Sequence, residues 1–299
     1  MSPTVANRRG IVAMIASMAL FIAGDSVAKQ VGQHYPSGQV LFFRTLMILS
    51  FLLVLLIATG QIKQFKSAWR GPNLLRAFFD GIASALYLVT LVHLPLAMLA
   101  AIILTVPLMM TALSVALFGE QVGWRRWSAI VVGLIGALIV VKPSPSAFDV
   151  WALVGFASAI ATSGRDLTTS RIAASMPSFL VTFTGALAIL AAGVLIGTAE
   201  EWRMFARHDF LELALGAAFH CAAGVCLVIA SRSGKVSVVA PFRYIFLLWA
   251  AIAGYLVFGE VPDRWAILGG ALIVGSGLYA LHRERLRGQK VAATLADPL

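Results

Sequence analysis

Phe118-Gly119-Glu120 recurs as Phe258-Gly259-Glu260, 140 residues further along the chain. After the first copy come Trp127 and a Gly-rich apolar run from Ile130 to Val141. After the second come Trp265 and a similar run from Ile267 to Leu281. The Phe-to-Trp spacing is nine residues in one copy and seven in the other. Each copy reads as an apolar helix that ends in a Gly-Glu turn, followed by a second apolar helix opened by Arg and Trp. A repeat of this kind decides the fold before any single element does.

The match extends outward from the motif. Asp25 and Asp166, Pro36-Ser37 and Pro177-Ser178, and Ala16-Ser17 and Ala157-Ser158 all share an offset of 141 residues. The composition says what medium surrounds the repeat. Of 299 residues, 60% are hydrophobic and 12% charged, and the mean hydropathy is +0.90. Soluble domains carry about 25% charged residues. This much apolar surface requires lipid as its cover. The net charge of +10 is spread between apolar runs and not gathered on one face, which fits membrane loops and argues against nucleic acid. Cys221 and Cys226 stand five apart in an apolar run and read as packing residues, not as a disulfide or metal site. The run Ile11 to Val31, behind Arg8 and Arg9, is too long for a signal peptide and lacks a cleavage site, so it reads as a retained helix.

A spanning helix needs about 20 mostly apolar residues. Ten runs qualify, near 11–31, 37–58, 73–92, 96–118, 126–142, 150–171, 178–197, 210–231, 236–258 and 264–282. The expectation is an all-α integral membrane protein with ten transmembrane helices in two inverted five-helix repeats. Residues 1–10 form a cytoplasmic N-terminus, 11–142 the first repeat, 150–282 the second and 283–299 a basic, mobile cytoplasmic tail. With the N-terminus inside, 15 Lys and Arg fall in cytoplasmic segments. Five fall outside: Lys29, Lys142, Arg203, Arg207 and Arg264. This bias places both termini in the cytoplasm of a multi-pass inner-membrane protein. Five spans is an odd number, so the second half enters the membrane with opposite polarity, a transporter signature.

Ten spans, five-helix halves, apolar-Gly-Glu after the fourth and ninth helices, and Gly-rich fifth and tenth helices resemble the drug/metabolite transporter superfamily, EamA type. The resemblance covers nearly the whole chain. It implies a carrier of small organic metabolites, often an exporter, with helices one to four and six to nine around a cavity and five and ten as outer scaffold. Gly24-Asp25-Ser26-Val27-Ala28-Lys29 and Phe43-Arg44 are also similar to a branch that includes vitamin and nucleoside-derivative carriers.

Ionisable groups inside a span are costly and normally face a cavity or a partner. By depth they sort into two layers. Asp25, Lys29 and Arg44 lie in the outer third, and Arg76, Asp80, Arg165, Asp166 and Arg243 in the inner third. Asp25 reads as a gate or substrate group paired with Arg44, or as a proton carrier; the plainer reading pairs it with Lys29, one turn on. Arg44 suits a substrate carboxylate through its planar fork, or else snorkels; its repeat mate is Gly185, so this charge belongs to one half only. Asp80 pairs locally with Arg76 or faces the cavity. Arg165 and Asp166 are adjacent, so at most one faces the centre. Arg243 follows Pro241 near the start of helix nine and binds substrate or reaches the headgroups. His220, near the middle of helix eight, relays protons, binds substrate or packs neutral. Tyr87, Tyr244 and Trp249 form an aromatic wall or pack in the core. Pro107 and Pro241 are the hinge candidates. Gly193 and Gly197 form a helix-contact motif. Glu120 and Glu260 read as turn and gate-side structure.

The nearest enzyme motif, Ser26-Val27-Ala28-Lys29, lacks its companion residues. No P-loop or zinc motif is present. The chain therefore reads as no enzyme, with no catalytic residue, metal or cofactor. The expected partners are a small-molecule substrate and the lipid bilayer, with protons a candidate coupling ion and a homodimer a candidate assembly. The membrane charges balance, three Asp against three Arg, which favours a zwitterionic or carboxylate-bearing solute such as an amino acid derivative or an opine-type metallophore; the family resemblance implies that it is moved outward. Uptake of a vitamin or nucleoside derivative, such as riboflavin or S-adenosylmethionine, is the competing reading. A lipid-modifying intramembrane enzyme is the distant one, because its catalytic groups would have to share one depth.

Overall fold

The structure is a computed structural model and describes residues 3–61, 65, 68–69, 71–119, 123–141, 150–169, 171–173, 176–232 and 236–296. Within them the regular structure is all helical. The α-helices are α1 (Pro3–Gly32), α2 (Ser37–Ala58), α3 (Gly71–His93), α4 (Leu96–Ile103), α5 (Val106–Phe118), α6 (Trp124–Val141), α7 (Val150–Thr169), α8 (Ser178–Gly197), α9 (Arg207–Arg232), α10 (Val236–Val239), α11 (Ile245–Phe258) and α12 (Arg264–Ala296). A 3-10 turn, Ala240–Tyr244, joins α10 to α11.

The repeated Phe-Gly-Glu motif is a helix stop. Gly119 and Gly259 end α5 and α11 in the left-handed conformation, at φ of 65° and 66°, where a residue with a Cβ is strained. Seven segments are long and apolar enough to cross a membrane: Val5–Gly32, Ser37–Ala58, Gly71–His93, Leu96–Phe118, Ser178–Gly197, Arg207–Ala230 and Pro241–Phe258. Trp127–Val141 and Arg264–Ala280 are shorter apolar stretches. α7 carries Arg165 and Asp166 near its end. Helices satisfy their own backbone groups, so they suit a medium without water. The outer surface agrees: Val54, Leu195 and Leu256 are 64%, 71% and 73% exposed, as lipid-facing residues are.

Packing runs between the two halves of the chain. α1 packs on α9 and α3 on α7; α2 packs on α8, α4 on α11 and α6 on α12; α3 also meets α8, and α2 meets α9. Two buried serines tie the first two of these pairs. Ser17 Oγ donates to the Ala223 carbonyl at 2.8 Å, and Ser158 Oγ to the Ala83 carbonyl at 2.9 Å. Small residues let the backbones close in. A Cβ on Gly24 would lie 2.9 Å from the Gly216 carbonyl, and one on Gly136 would lie 2.8 Å from the Gly269 carbonyl. Gly193 of the expected contact motif abuts the Phe42 backbone of α2. The central core draws Ile22, Val31, Leu41, Leu88, Leu99, Leu213 and Ala250 from α1, α2, α3, α4, α9 and α11.

Four boundaries differ from the sequence reading. The first helix starts at Pro3, not 11, since proline at a first turn lacks only a hydrogen that has no helical partner. The run 96–118 breaks at Leu104–Thr105, just before Pro107, which sits in the first turn of α5. The run 236–258 is split by the 3-10 turn around Pro241. The tail expected to be mobile continues α12 as far as Ala296. No proline interrupts it, and Ala, Leu, Arg and Lys are strong helix formers.

Candidate functional site

Four helices deliver one side chain each to a buried polar centre. Asp25 comes from α1, Arg44 from α2, Tyr87 from α3 and His220 from α9. Arg44 Nη2 donates to Asp25 Oδ1 at 3.3 Å, and the Tyr87 hydroxyl donates to Asp25 Oδ2 at 2.7 Å. The same Nη2 lies 2.7 Å from His220 Nδ1. A guanidinium has no acceptor, so His220 Nδ1 accepts and the imidazole carries its proton on Nε2. Asp25 and Arg44 are 3% and 7% exposed, so the ion pair is held almost out of reach of water. The Gly24–Gly216 approach brings α1 against α9 at this depth, and Phe21 meets the His220 ring edge-on at 4.8 Å. Arg44 has five N–H donors, yet its Nε and Nη1 engage no described residue. The centre is neutral overall and keeps unengaged guanidinium N–H donors.

A second cluster lies on α3, α7 and α8. Asp80 accepts from Arg76 Nη1 at 3.1 Å and from Arg165 Nη1 at 3.3 Å; Arg165 Nη2 meets Asp166 at 2.8 Å. Arg76 also donates to the Val181 carbonyl at 3.0 Å and to Thr169 at 3.2 Å. Gly185, the repeat mate of Arg44, makes room for this cluster: a Cβ there would sit 2.6 Å from Arg76 Nη1. Each guanidinium and carboxylate here is paired within the protein, though Arg76 Nη2 engages no described residue. Arg165 and Asp166, though adjacent, bond to each other, because a long guanidinium can fold back on its neighbour. Of the two partners read for Asp25, the structure gives Arg44 and not Lys29. Lys29 Nζ instead donates to Glu260 Oε1 at 2.5 Å and to the Leu94 carbonyl at 2.6 Å.

Of the two readings of Tyr87, Tyr244 and Trp249, a shared aromatic wall or core packing, the three do not gather into one wall. Tyr87 joins Asp25. Tyr244 is buried with Ala101, Leu104, Ala137 and Ile273, against Gly277 of α12, on the scaffold side. Trp249 packs between the central core and a cluster of Met14, Met18, Ala230 and Val239. Its Nε1 is buried and finds no acceptor among the described residues. Arg243 is exposed on the 3-10 turn, away from the other charges. Glu120 lies outside the described residues.

Sequence reading missed Arg76 as a site residue, though its i,i+4 spacing to Asp80 was a signal. It also missed an open cavity of about 670 Å³ lined by Gln39, Phe43, Trp202, Arg203, Met204, Phe205, Arg207, Phe210 and Leu211. The alternation of aromatic and basic residues from Trp202 to Phe210 was its trace. The 198–206 segment is tied over it: Glu200 accepts from the Gly38 N–H at 3.0 Å, and Gln39 and Arg203 exchange two bonds.

Among the described residues, an all-helical bundle with seven segments fit to cross lipid around a buried, neutral polar centre marks a multi-pass membrane protein, and the family match makes it a transporter and not an enzyme. The chain belongs to the EamA-like transporter family, whose model matches residues 8–142 and again 149–281. It is 25% identical over 281 residues to an S-adenosylmethionine uptake transporter of Rickettsia prowazekii, covering 92% of this chain and 93% of that one. It is 27% identical over 277 residues to the pseudopaline exporter of Pseudomonas aeruginosa, covering 89% and 94%. It is 27% identical over 287 residues to a riboflavin transporter of Vibrio cholerae, covering 94% and 96%. One solved crystal structure superposes with a TM-score of 0.58 at 18% identity, over 93% of this chain and 98% of that one; this likeness speaks to the fold alone.

Proposed function

We propose that the chain is a secondary carrier that exports a small zwitterionic metabolite, an amino acid or amino-acid derivative of the opine-metallophore type, across the bacterial inner membrane. Two inverted five-helix halves alternate access to the site, with both termini in the cytoplasm. The observation that carries the solute class is Arg44. It is buried beside a carboxylate and a neutral imidazole, and two of its donor positions stand free. Free guanidinium N–H donors in a dry site suit a carboxylate, while Asp25 offers the counter-charge to an amino group. His220 and the Tyr87 hydroxyl complete a polar lining that suits a solute of mixed charge.

The inverted halves are supported by packing that keeps its form when the halves are exchanged. Helix one on eight matches three on six, and the pairs two–seven, four–nine and five–ten map onto themselves. The repeat mates Ser17 and Ser158 make equivalent bonds across the halves, and the family model matches twice. The 15-to-5 bias of Lys and Arg supports the orientation. The second reading, uptake of a nucleoside derivative or vitamin, draws on the S-adenosylmethionine and riboflavin transporters among the chain's relatives and on Phe43, Phe205 and Phe210 in the aromatic cavity.

The test compares metabolites in medium and cytoplasm with the gene overexpressed and deleted. Export predicts that one amino-acid-derived zwitterion moves to the medium on overexpression and builds up inside on deletion. A nucleoside derivative or flavin that accumulates inside on overexpression would replace this reading by the second.

A further inference from the structure

We infer that Lys29 and Glu260 form the lock that shuts the solute path on the face opposite the N-terminus, and that they are positioning residues of the transport cycle. The inference rests on the alternating-access reading above. Lys29 lies near the end of α1, in the first half, and is 4% exposed. Glu260 follows the left-handed glycine that ends α11, in the second half. The ammonium bonds Glu260 Oε1 and the Leu94 carbonyl, and the other carboxylate oxygen accepts the Leu96 N–H at 2.8 Å. One cation and one anion thus hold the ends of α1, α3, α4 and α11 together. These ends must part for a route to open between the halves on that face.

The glycine turn aims the carboxylate. Glu260 N–H donates to the Gly254 carbonyl at 2.9 Å, and a Cβ on Gly254 would sit 2.7 Å from Glu260 Oε2. Lys29 Nζ also stands over the Phe258 ring, 4.9 Å from its centre. A buried ion pair of this kind rarely adds net stability over an apolar pair. Its place at the junction of four helix ends from both halves points to control of motion.

The opposite end of the molecule is tied across the halves as well. Arg165 Nη1 of the second half meets Asp80 Oδ1 of the first at 3.3 Å, and Arg171, just past α7, stands over Phe118, the repeat mate of Phe258, at 3.7 Å. Each face thus carries its own contact between the halves, and loss of the Lys29–Glu260 pair frees the Lys29 face alone.

The test reads exposure and needs no knowledge of the solute, so a wrong solute class leaves it untouched. Cys226→Ser leaves Cys221 as the single thiol. It adjoins His220 and lies within the field of Arg44. A membrane-impermeant maleimide is applied to each face in vesicles of known sidedness containing the full chain. Lys29→Ala and Glu260→Gln raise labelling from the Lys29 face about tenfold or more and lower it, or leave it unchanged, from the N-terminal face. Lys29→Arg, which keeps the charge, stays near the parent. Equal gains from both faces would mean general loosening and overturn the lock. So would unchanged labelling from the Lys29 face, or a thiol that no variant exposes to either face.

Discussion

Arg44 and Asp25 show what one residue can and cannot change. Arg44→Lys keeps a positive charge beside Asp25 but loses the planar fork. It should leave thermal stability nearly unchanged and cut solute flux by about tenfold or more, the effect of losing one charge-assisted bond of roughly 1.5–3 kcal/mol. Flux within twofold of the parent would remove Arg44 from the solute site. Asp25→Asn strands the Arg44 charge in a dry site, a loss of about 3–5 kcal/mol in unfolding measurements. Adding Arg44→Gln removes the stranded charge and should recover most of that stability without recovering transport. Trp249→Phe tests the orphan indole N–H. The ring packing stays and an unsatisfied donor goes, so stability should rise or hold while solute affinity falls. A drop of more than about 1 kcal/mol would mean the N–H has a partner in the resting protein.

At the scale of the element, much was legible in the sequence and some was not. Apolar runs and glycines announced the helices, because period and length are local properties. Pro107 and Pro241 announced breaks, and α4 and α10 do stop just before them. The partners of charges were a different matter. Asp25 had two readable partners, Arg44 and, one turn on, Lys29, and the sequence did not choose between them. The fold gives Asp25 to α2 and α3, and sends Lys29 to the turn after α11. Only the crossing of helices distant in sequence decides this, and no helix-local rule contains it. The same holds for Tyr244, turned toward α12, and for Arg243, left exposed. Gly185 is an element-scale test. An added methyl meets Asp80 and Arg76 between α8 and α3, so Gly185→Ala should destabilise by about 1–3 kcal/mol. A neutral result would mean the second cluster yields freely. Pro107→Ala should let α4 and α5 fuse, slowing turnover more than it weakens solute binding, as loss of a hinge does; equal effects on both would argue against a hinge.

At the scale of the whole molecule, the account is two halves with opposite polarity around one neutral centre. The centre draws on helices one, two, three and eight, so neither half holds it alone. Its charges are unevenly shared, since the repeat mate of Arg44 is Gly185 and not a second arginine. That asymmetry gives an otherwise symmetric carrier one preferred way to hold a carboxylate. If Asp25 carries protons through the cycle, flux varies with pH over a range of about 5 to 8. Flat flux over that range would leave the solute gradient as the drive. The most direct measurement of the central claim is exchange in proteoliposomes containing the purified chain and the metabolite singled out by the overexpression and deletion comparison. The account predicts rapid exchange of labelled for unlabelled metabolite, lost with Arg44→Lys and kept with a change at the exposed Arg243. Exchange that survives Arg44→Lys unchanged would contradict it.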